Sequence, residues 1–220
     1  MRIASCDSHQ PPISATTSPL ELCEAIRTPP HGSGFVRVVS ELRCRRRAVG
    51  RSCRLETQVR TPQSVFLLPQ RLVVPLFQRP YVWNLDNQWE PLWSDVARLA
   101  ERYLASPASR HQPHFLGAVV LQQVMKPIGH LQERMIIDGQ QRLTTLQLLL
   151  DALHAELVRV GATSPAARLE SLVTNDTPFR TRPEDRFKVW PTNRDRPAFN
   201  AVMSATPPVI TTHSDSAVSE

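Results

Sequence analysis

Lysine is nearly missing from this chain. Of its 26 basic residues only Lys126 and Lys188 are lysines, a bias read here as GC-rich codon usage and not as a binding signal. Glycine is also scarce, with 7 against 20 prolines, so a good part of the chain should not form regular structure. No apolar run approaches the length of a membrane span, so no span and no membrane partner are expected. The start, MRIASCDSHQPP, lacks an apolar stretch after Arg2 and so is not a secretory signal. Cysteine is absent beyond Cys53. The four present (Cys6, Cys23, Cys44, Cys53) have irregular spacing and no CxxC pair. That argues against a zinc site or a disulfide framework, and the cysteine-free remainder suits a reducing, cytoplasmic compartment. There is no G-x-S-x-G, no H-E-x-x-H and no histidine-rich nuclease box with downstream Asn and His, so no self-sufficient hydrolytic or nuclease centre is recognised.

Charge is present, but unevenly. Residues 1–60 hold 10 Arg and 5 acids, or +5 of the net +6. The rest is almost neutral and gives no bulk electrostatic case for nucleic acid. The 41% of hydrophobic residues in 220 is enough for one domain core.

Periodicity divides the chain into three parts. Residues 1–58 show no sustained period and are expected to be a basic, disordered segment, or the product of an over-extended start. Residues 59–205 carry the ordered pattern, and 206–220 read as an unstructured tail. Within the middle part, RLVVPLF (71–77) reads as a short strand interrupted by Pro75, an edge or a strand end. WEPLWSDVARLAERYL (89–104) is an amphipathic helix, with Trp89, Leu92, Trp93, Val96, Leu99, Ala100 and Tyr103 three and four apart. HFLGAVVLQQV (114–124) and ERMIID (133–138) read as strands paired in a hairpin. A long helix follows from about Arg142 to Val160, with Leu143, Leu146, Leu150, Leu153 and Leu157 on one face. A weaker helix after Ser164, a short strand at 186–190 and a helix start near RDRPAFNAVM complete the pattern. The class is α+β.

Between the hairpin and the long helix lies DGQQR, Asp138 to Arg142. A helix start offers unpaired N–H groups and the positive end of the macrodipole, a ready anion site. Arg142 adds a forked donor for phosphate oxygens. Gly139 lets the backbone approach a ligand. Gln140 and Gln141 can orient a ligand or a water. Thr144 and Thr145 supply hydroxyls, and Asp138 is placed to hold magnesium through water, or to position a base or ribose. The plainer reading stays open beside this one: Asp-Gly is a common turn pair, Arg142 can pair with a nearby acid, and Thr144 can cap. A second polar cluster is Gln78, Arg79 and Tyr81 in VPLFQRPYVW. Gln78 and Arg79 interrupt an apolar segment and need partners, whereas Trp83, Trp89 and Trp93 are better read as packing anchors. His111 and His114 form an HxxH without an acid or thiol to complete a metal set.

VPLFQRPYVWNLDNQWEPLWSDV, HFLGAVVL and IIDGQQRLTTLQLLLDAL, in this order, followed by RFKVWPTNRDRPAFNAVM, resemble the N-terminal domain of GmrSD-type restriction endonucleases over about residues 60–203. The resemblance implies a ParB/sulfiredoxin-like α+β fold: a small mixed sheet and a β-hairpin leading into a long leucine-rich helix, flanked here by disordered N- and C-terminal tails. It implies that a nucleoside triphosphate, with magnesium as an optional companion, sits between the two loops. Asp138, Gln140 and Gln141 would be the catalytic group, and Gln78, Arg79, Tyr81, Gly139, Arg142, Thr144 and Thr145 the binding group. It implies NTP-dependent sensing of modified phage DNA, with cutting done by an HNH-type nuclease domain or subunit. Members of this family usually continue for hundreds of residues, so a truncated copy lacking the nuclease is expected. The rival expectations are a non-enzymatic DNA-binding or partner-docking module using the same pocket for DNA phosphate, and a non-functional fragment.

Overall fold

The computed structural model describes residues 35–47, 50–127 and 130–205. Expectations for residues 1–34 and 206–220 lie outside them. The fold mixes helices with one seven-stranded sheet of order β2-β1-β5-β6-β3-β7. The strands are β1 (Phe35–Arg47), β2 (Gly50–Arg60), β3 (Gln70–Val73), β4 (His114–Phe115), β5 (Val119–Val124), β6 (Gln132–Asp138) and β7 (Val189–Trp190). β4 stands off this path, beside the start of β1.

Two pairings fix the candidate site. β5 and β6 form the expected antiparallel hairpin. β3 then lies parallel to β6 and to β7, in register Leu72↔Arg134 and Leu72↔Val189. The chain segments leaving β3, β6 and β7 therefore emerge on the same edge. Parallel pairing at this place requires long crossovers. The helix α1 (Pro62–Phe66) precedes β3, α2 (Glu90–Ala105) lies in the crossover from β3 to β6, α3 (Gln140–Arg159) and α4 (Thr163–Val173) lie in that from β6 to β7, and α5 (Arg196–Ser204) follows β7.

Several expectations change in detail. The segment up to residue 58 was expected to lack regular structure, yet residues 35–47 and 50–60 pair as antiparallel strands from Arg37↔Arg60 to Arg47↔Gly50. FVRVVSELRC lacks a clean alternation, and its pairing partners lie elsewhere in the chain. Residues 114–124 are not one strand. Gly117 sits at φ +101° between β4 and β5 and breaks it. β3 ends at Val73, ahead of Pro75, and lies between β6 and β7 instead of at an edge. α2 is preceded by a π-helical turn at Leu85–Trp89 capped by Asn84. Its apolar stripe is mostly half-buried: only Ala100 is buried, and Trp93 is 50% exposed.

The leucine face of α3 organises the core. Leu143 packs with Val65, Phe66, Leu72, Val74, Val119, Leu121, Ile136 and Val189 between helix and sheet. Leu148 packs with Tyr81, Val173, Phe187, Phe199 and Met203, and Leu157 with Ala166 and Leu169 of α4. Leu150, partly buried, touches all three groups.

Candidate functional site

β6 ends at Asp138, and the chain must turn at once into α3. Gly139 makes that turn at φ +93°, a conformation other residues adopt only with strain. A side chain there would also strike β5, with Val119 Cγ2 only 2.8 Å from an added Cβ. Two causes thus demand glycine, and both place the start of α3 tightly against the sheet. The first turn of α3 contains no acidic residue and receives no side-chain cap. Its leading N–H groups and the macrodipole therefore favour an anion.

The QRPY loop lies directly on this turn. Gln78 Nε2 donates to the Ile137 carbonyl at 3.0 Å. Gln140 Nε2 donates to the Arg79 carbonyl at 2.7 Å. Gln141 Nε2 donates to the Pro80 carbonyl at 3.0 Å, while its Oε1 accepts the Val82 N–H at 2.9 Å. The Tyr81 and Thr145 hydroxyls are 2.6 Å apart, and the Thr145 hydroxyl donates to the Gln141 carbonyl. Two clusters some 60 residues apart in sequence thus form one assembly.

This contact map separates the residues singled out from the sequence. Gln141 has its amide occupied on both sides by loop backbone. Tyr81 and Thr145, 5% and 1% exposed, bond each other. Burial pushes the Tyr81 hydroxyl up to about 12 despite its bond to Thr145, so it stays protonated. Gln78 is held to the end of β6. Thr144 is buried at 3% exposure. These side chains frame the site. The groups left facing outward are different. Asp138 is 67% exposed, with Oδ1 accepting the Gly139 N–H and Oδ2 3.6 Å from Arg142 Nη2. Arg142 is 30% exposed. The Arg79 side chain is exposed and makes no hydrogen bond or ion pair among the described residues. Gln140 keeps a buried Oε1 without a partner among them, an acceptor available to a ligand donor or a water.

Asp195 belongs to this assembly and was not singled out. It follows β7, is 3% exposed, and its Oδ2 accepts the Tyr81 N–H at 3.0 Å and the Thr192 hydroxyl at 2.6 Å. The signal available was PTNRD, a turn-rich run just after a strand and before a Pro-led helix. A second group also escaped the sequence reading. At the opposite ends of β3 and β6, Arg71 (6% exposed) lies 2.7 Å from Glu133 and 3.2 Å from Asp185. Burial opposes both carboxylates. Arg71 and Lys126 nevertheless hold Glu133 below the usual carboxylate range, and bonds from Thr181 with the charge of Arg71 do the same for Asp185. Nearby, burial lowers the Lys188 ammonium to about 8, with Nζ donating to the Leu68 carbonyl.

No described helix is long and apolar enough to cross a membrane. No curated protein and no solved structure matches the chain. A family model, that of the GmrSD restriction endonuclease N-terminal domain, matches residues 63–215. That stretch begins within α1 and takes in the QRPY loop, the glycine between β4 and β5, the DGQQR turn and Asp195. The chain belongs to the family of GmrSD restriction endonuclease N-terminal domains.

Proposed function

We propose that the chain is the nucleotide-binding sensor part of a modification-dependent DNA restriction system, with NTP hydrolysis coupled to recognition of modified DNA. The observation that carries this is the start of α3: an uncapped first turn without acids, beside the partly exposed Arg142. Such an end attracts phosphate through N–H groups and dipole together. Arg142 and Arg79 would clamp the phosphates, and Gly139 would allow close backbone approach. The ParB-like nucleotide-binding arrangement implied by the family resemblance is part of the proposal. In its favour, the loops leaving parallel strands β3, β6 and β7 converge at one edge of the sheet, where open sheets bind ligands.

The roles differ from those the motif alone suggests. Asp138, exposed and lightly held, is the group to orient a water. Gln140 assists through its unpartnered oxygen. Gln141 positions the loop. Among the described residues no group of three His, Cys, Asp or Glu is gathered, so magnesium would enter with the phosphates and meet the protein at Asp138. When bound, it would screen the phosphate charge. Cutting of DNA belongs, in this reading, to an HNH-type nuclease domain or subunit.

The test is thermal melting of the protein with ATP or GTP and magnesium. A nucleotide at a hundredfold excess over its Kd stabilises by about 2.7 kcal/mol, roughly 5–10 °C in a chain of this size. No shift with any nucleotide, together with salt-dependent DNA retention in nucleotide-free buffer, would overturn the proposal in favour of a DNA-phosphate module.

A further inference from the structure

Gly117, in the HFLG segment, makes a contact for which its neighbours in sequence give no reason. It lies at φ +101° between β4 and β5, and a Cβ on it would overlap Nη1 of Arg142, with Cζ at 3.1 Å and Cδ at 3.3 Å. The guanidinium rests on the glycine backbone itself. Leu116 and Val119, on either side, line a small apolar cavity together with Val65, Phe66 and the stem of Arg142. Little else fixes the cation. Its acid partner is Asp138, 67% exposed and 3.6 Å away, and its Nε is buried without an acceptor among the described residues. Steric support from below therefore sets where the fork points.

We propose that Gly117 is a positioning residue for Arg142: its missing side chain is the seat that holds the guanidinium toward an anionic ligand. The inference rests on the reading of Arg142 as a phosphate contact. An arginine on a flexible stem loses rotamer freedom when it binds, and a seat that restricts it beforehand lowers that cost. Any side chain at 117 lifts the guanidinium off its support and redirects its donors. The three atoms nearest that Cβ all belong to Arg142, so Arg142 is the first group a side chain there displaces, beside the strain of the backbone itself.

The experiment is a double-mutant cycle on the full chain with wild type, Gly117→Ala, Arg142→Ala and the double variant. Binding of fluorescent ATP and GTP with magnesium is titrated, and each protein is melted. Gly117→Ala is expected to weaken nucleotide binding tenfold or more in the wild-type background, and by less than about twofold once Arg142 is absent. Since any side chain at positive φ is strained, Gly117→Asn, which carries a Cβ at a smaller backbone penalty than alanine, is run beside it. Equal losses in both backgrounds would make Gly117 a purely structural residue. Wild-type binding by both Gly117 variants, with Arg142→Ala impaired, would overturn the seat while leaving the nucleotide reading intact. Normal binding by Arg142→Ala would overturn both.

Discussion

Arg142 and Leu150 lie two turns apart on one helix and answer to different demands. Arg142, partly exposed, leans on Gly117 beside the uncapped turn, while Leu150 packs against all three apolar groups. Loss of a charge-assisted contact weakens binding by about 1.5–3 kcal/mol, so Arg142→Ala is expected to reduce nucleotide affinity ten- to a hundredfold with little change in melting. Leu150→Ala is expected to cost about 2–5 kcal/mol of stability, toward the lower end because the side chain is only partly buried. Labelled-nucleotide titration and melting of both variants decide it. Equal melting losses would make Arg142 a structural ion-pair residue. Asp151, the next residue along, supplies a pH signature. Burial raises it to about 6, against the opposing charge of Arg186. Its folded pKa is above the unfolded value, so ionisation opposes folding, and stability should decline as pH rises from about 4 to about 6. Two units would correspond to about 3 kcal/mol. Partial solvent contact reduces this to about 1 kcal/mol. Asp151→Asn should therefore raise the melting temperature at pH 7 and leave it unchanged at pH 4, and an equal effect at both values would refute the assignment.

The first turn of α3 does two things at once: its side-chain amides hold a loop, and its backbone end goes without a side-chain cap. Gln141 is the residue on which the first depends. Its replacement by alanine removes the bonds to the Pro80 carbonyl and from the Val82 N–H, at roughly 1 kcal/mol each. The expected result is a loss of about 1–3 kcal/mol and faster hydrogen exchange at the Val82 amide, with α3 amides beyond Leu148 unaffected. Unchanged protection of Val82 would show that the loop is held by other contacts. At this scale much was legible in advance. The hairpin into α3 follows from strong periodicities, and the meeting of the two polar clusters follows from each ending an apolar strand. Gly117 was legible only as a glycine in a strand-like run. Its real constraint comes from Arg142, 25 positions away, and no local pattern encodes that.

Across the whole molecule the sheet is polar at both ends of β3 and β6, for opposite reasons. One end leaves charge exposed at Arg79, Asp138 and Arg142, and the other neutralises it around Arg71. Removing Arg71 would strand Asp185, 1% exposed, without its main counter-charge. Arg71→Ala is expected to cost about 3–5 kcal/mol. Glu133 and Asp185 have folded pKa values below their unfolded ones. Their contribution is present at neutral pH and is lost as pH falls below about 4, the reverse of Asp151. In urea titrations from pH 3 to 7 the wild type should lose stability at the acid end, and Arg71→Ala should show a flatter limb. Parallel limbs would mean that Arg71 does not hold these carboxylates down. This network was not legible beforehand because its members come from distant segments, residues 71, 126, 133 and 182–185, each unremarkable where it stands. The β1–β2 pairing was hidden for a related reason, since irregular alternation conceals a strand whose partners are remote.

The clamps on the QRPY loop end on main-chain atoms: the carbonyls of Arg79 and Pro80 and the N–H of Val82. Every amino acid has that carbonyl, and every one but proline has that N–H. At these positions the loop's course is therefore written in Gln140 and Gln141, while only Gln78 and Tyr81 add holds through their own side chains. Positions 79 and 82 can change chemistry without the path changing beneath them. A bulkier residue at 82, or a shorter cation at 79, would alter the surface displayed there while the geometry of the α3 turn stays as it is. Side-chain chemistry at these positions can thus change at little cost in folding, and a library randomised at 79 and 82 should be rich in folded members.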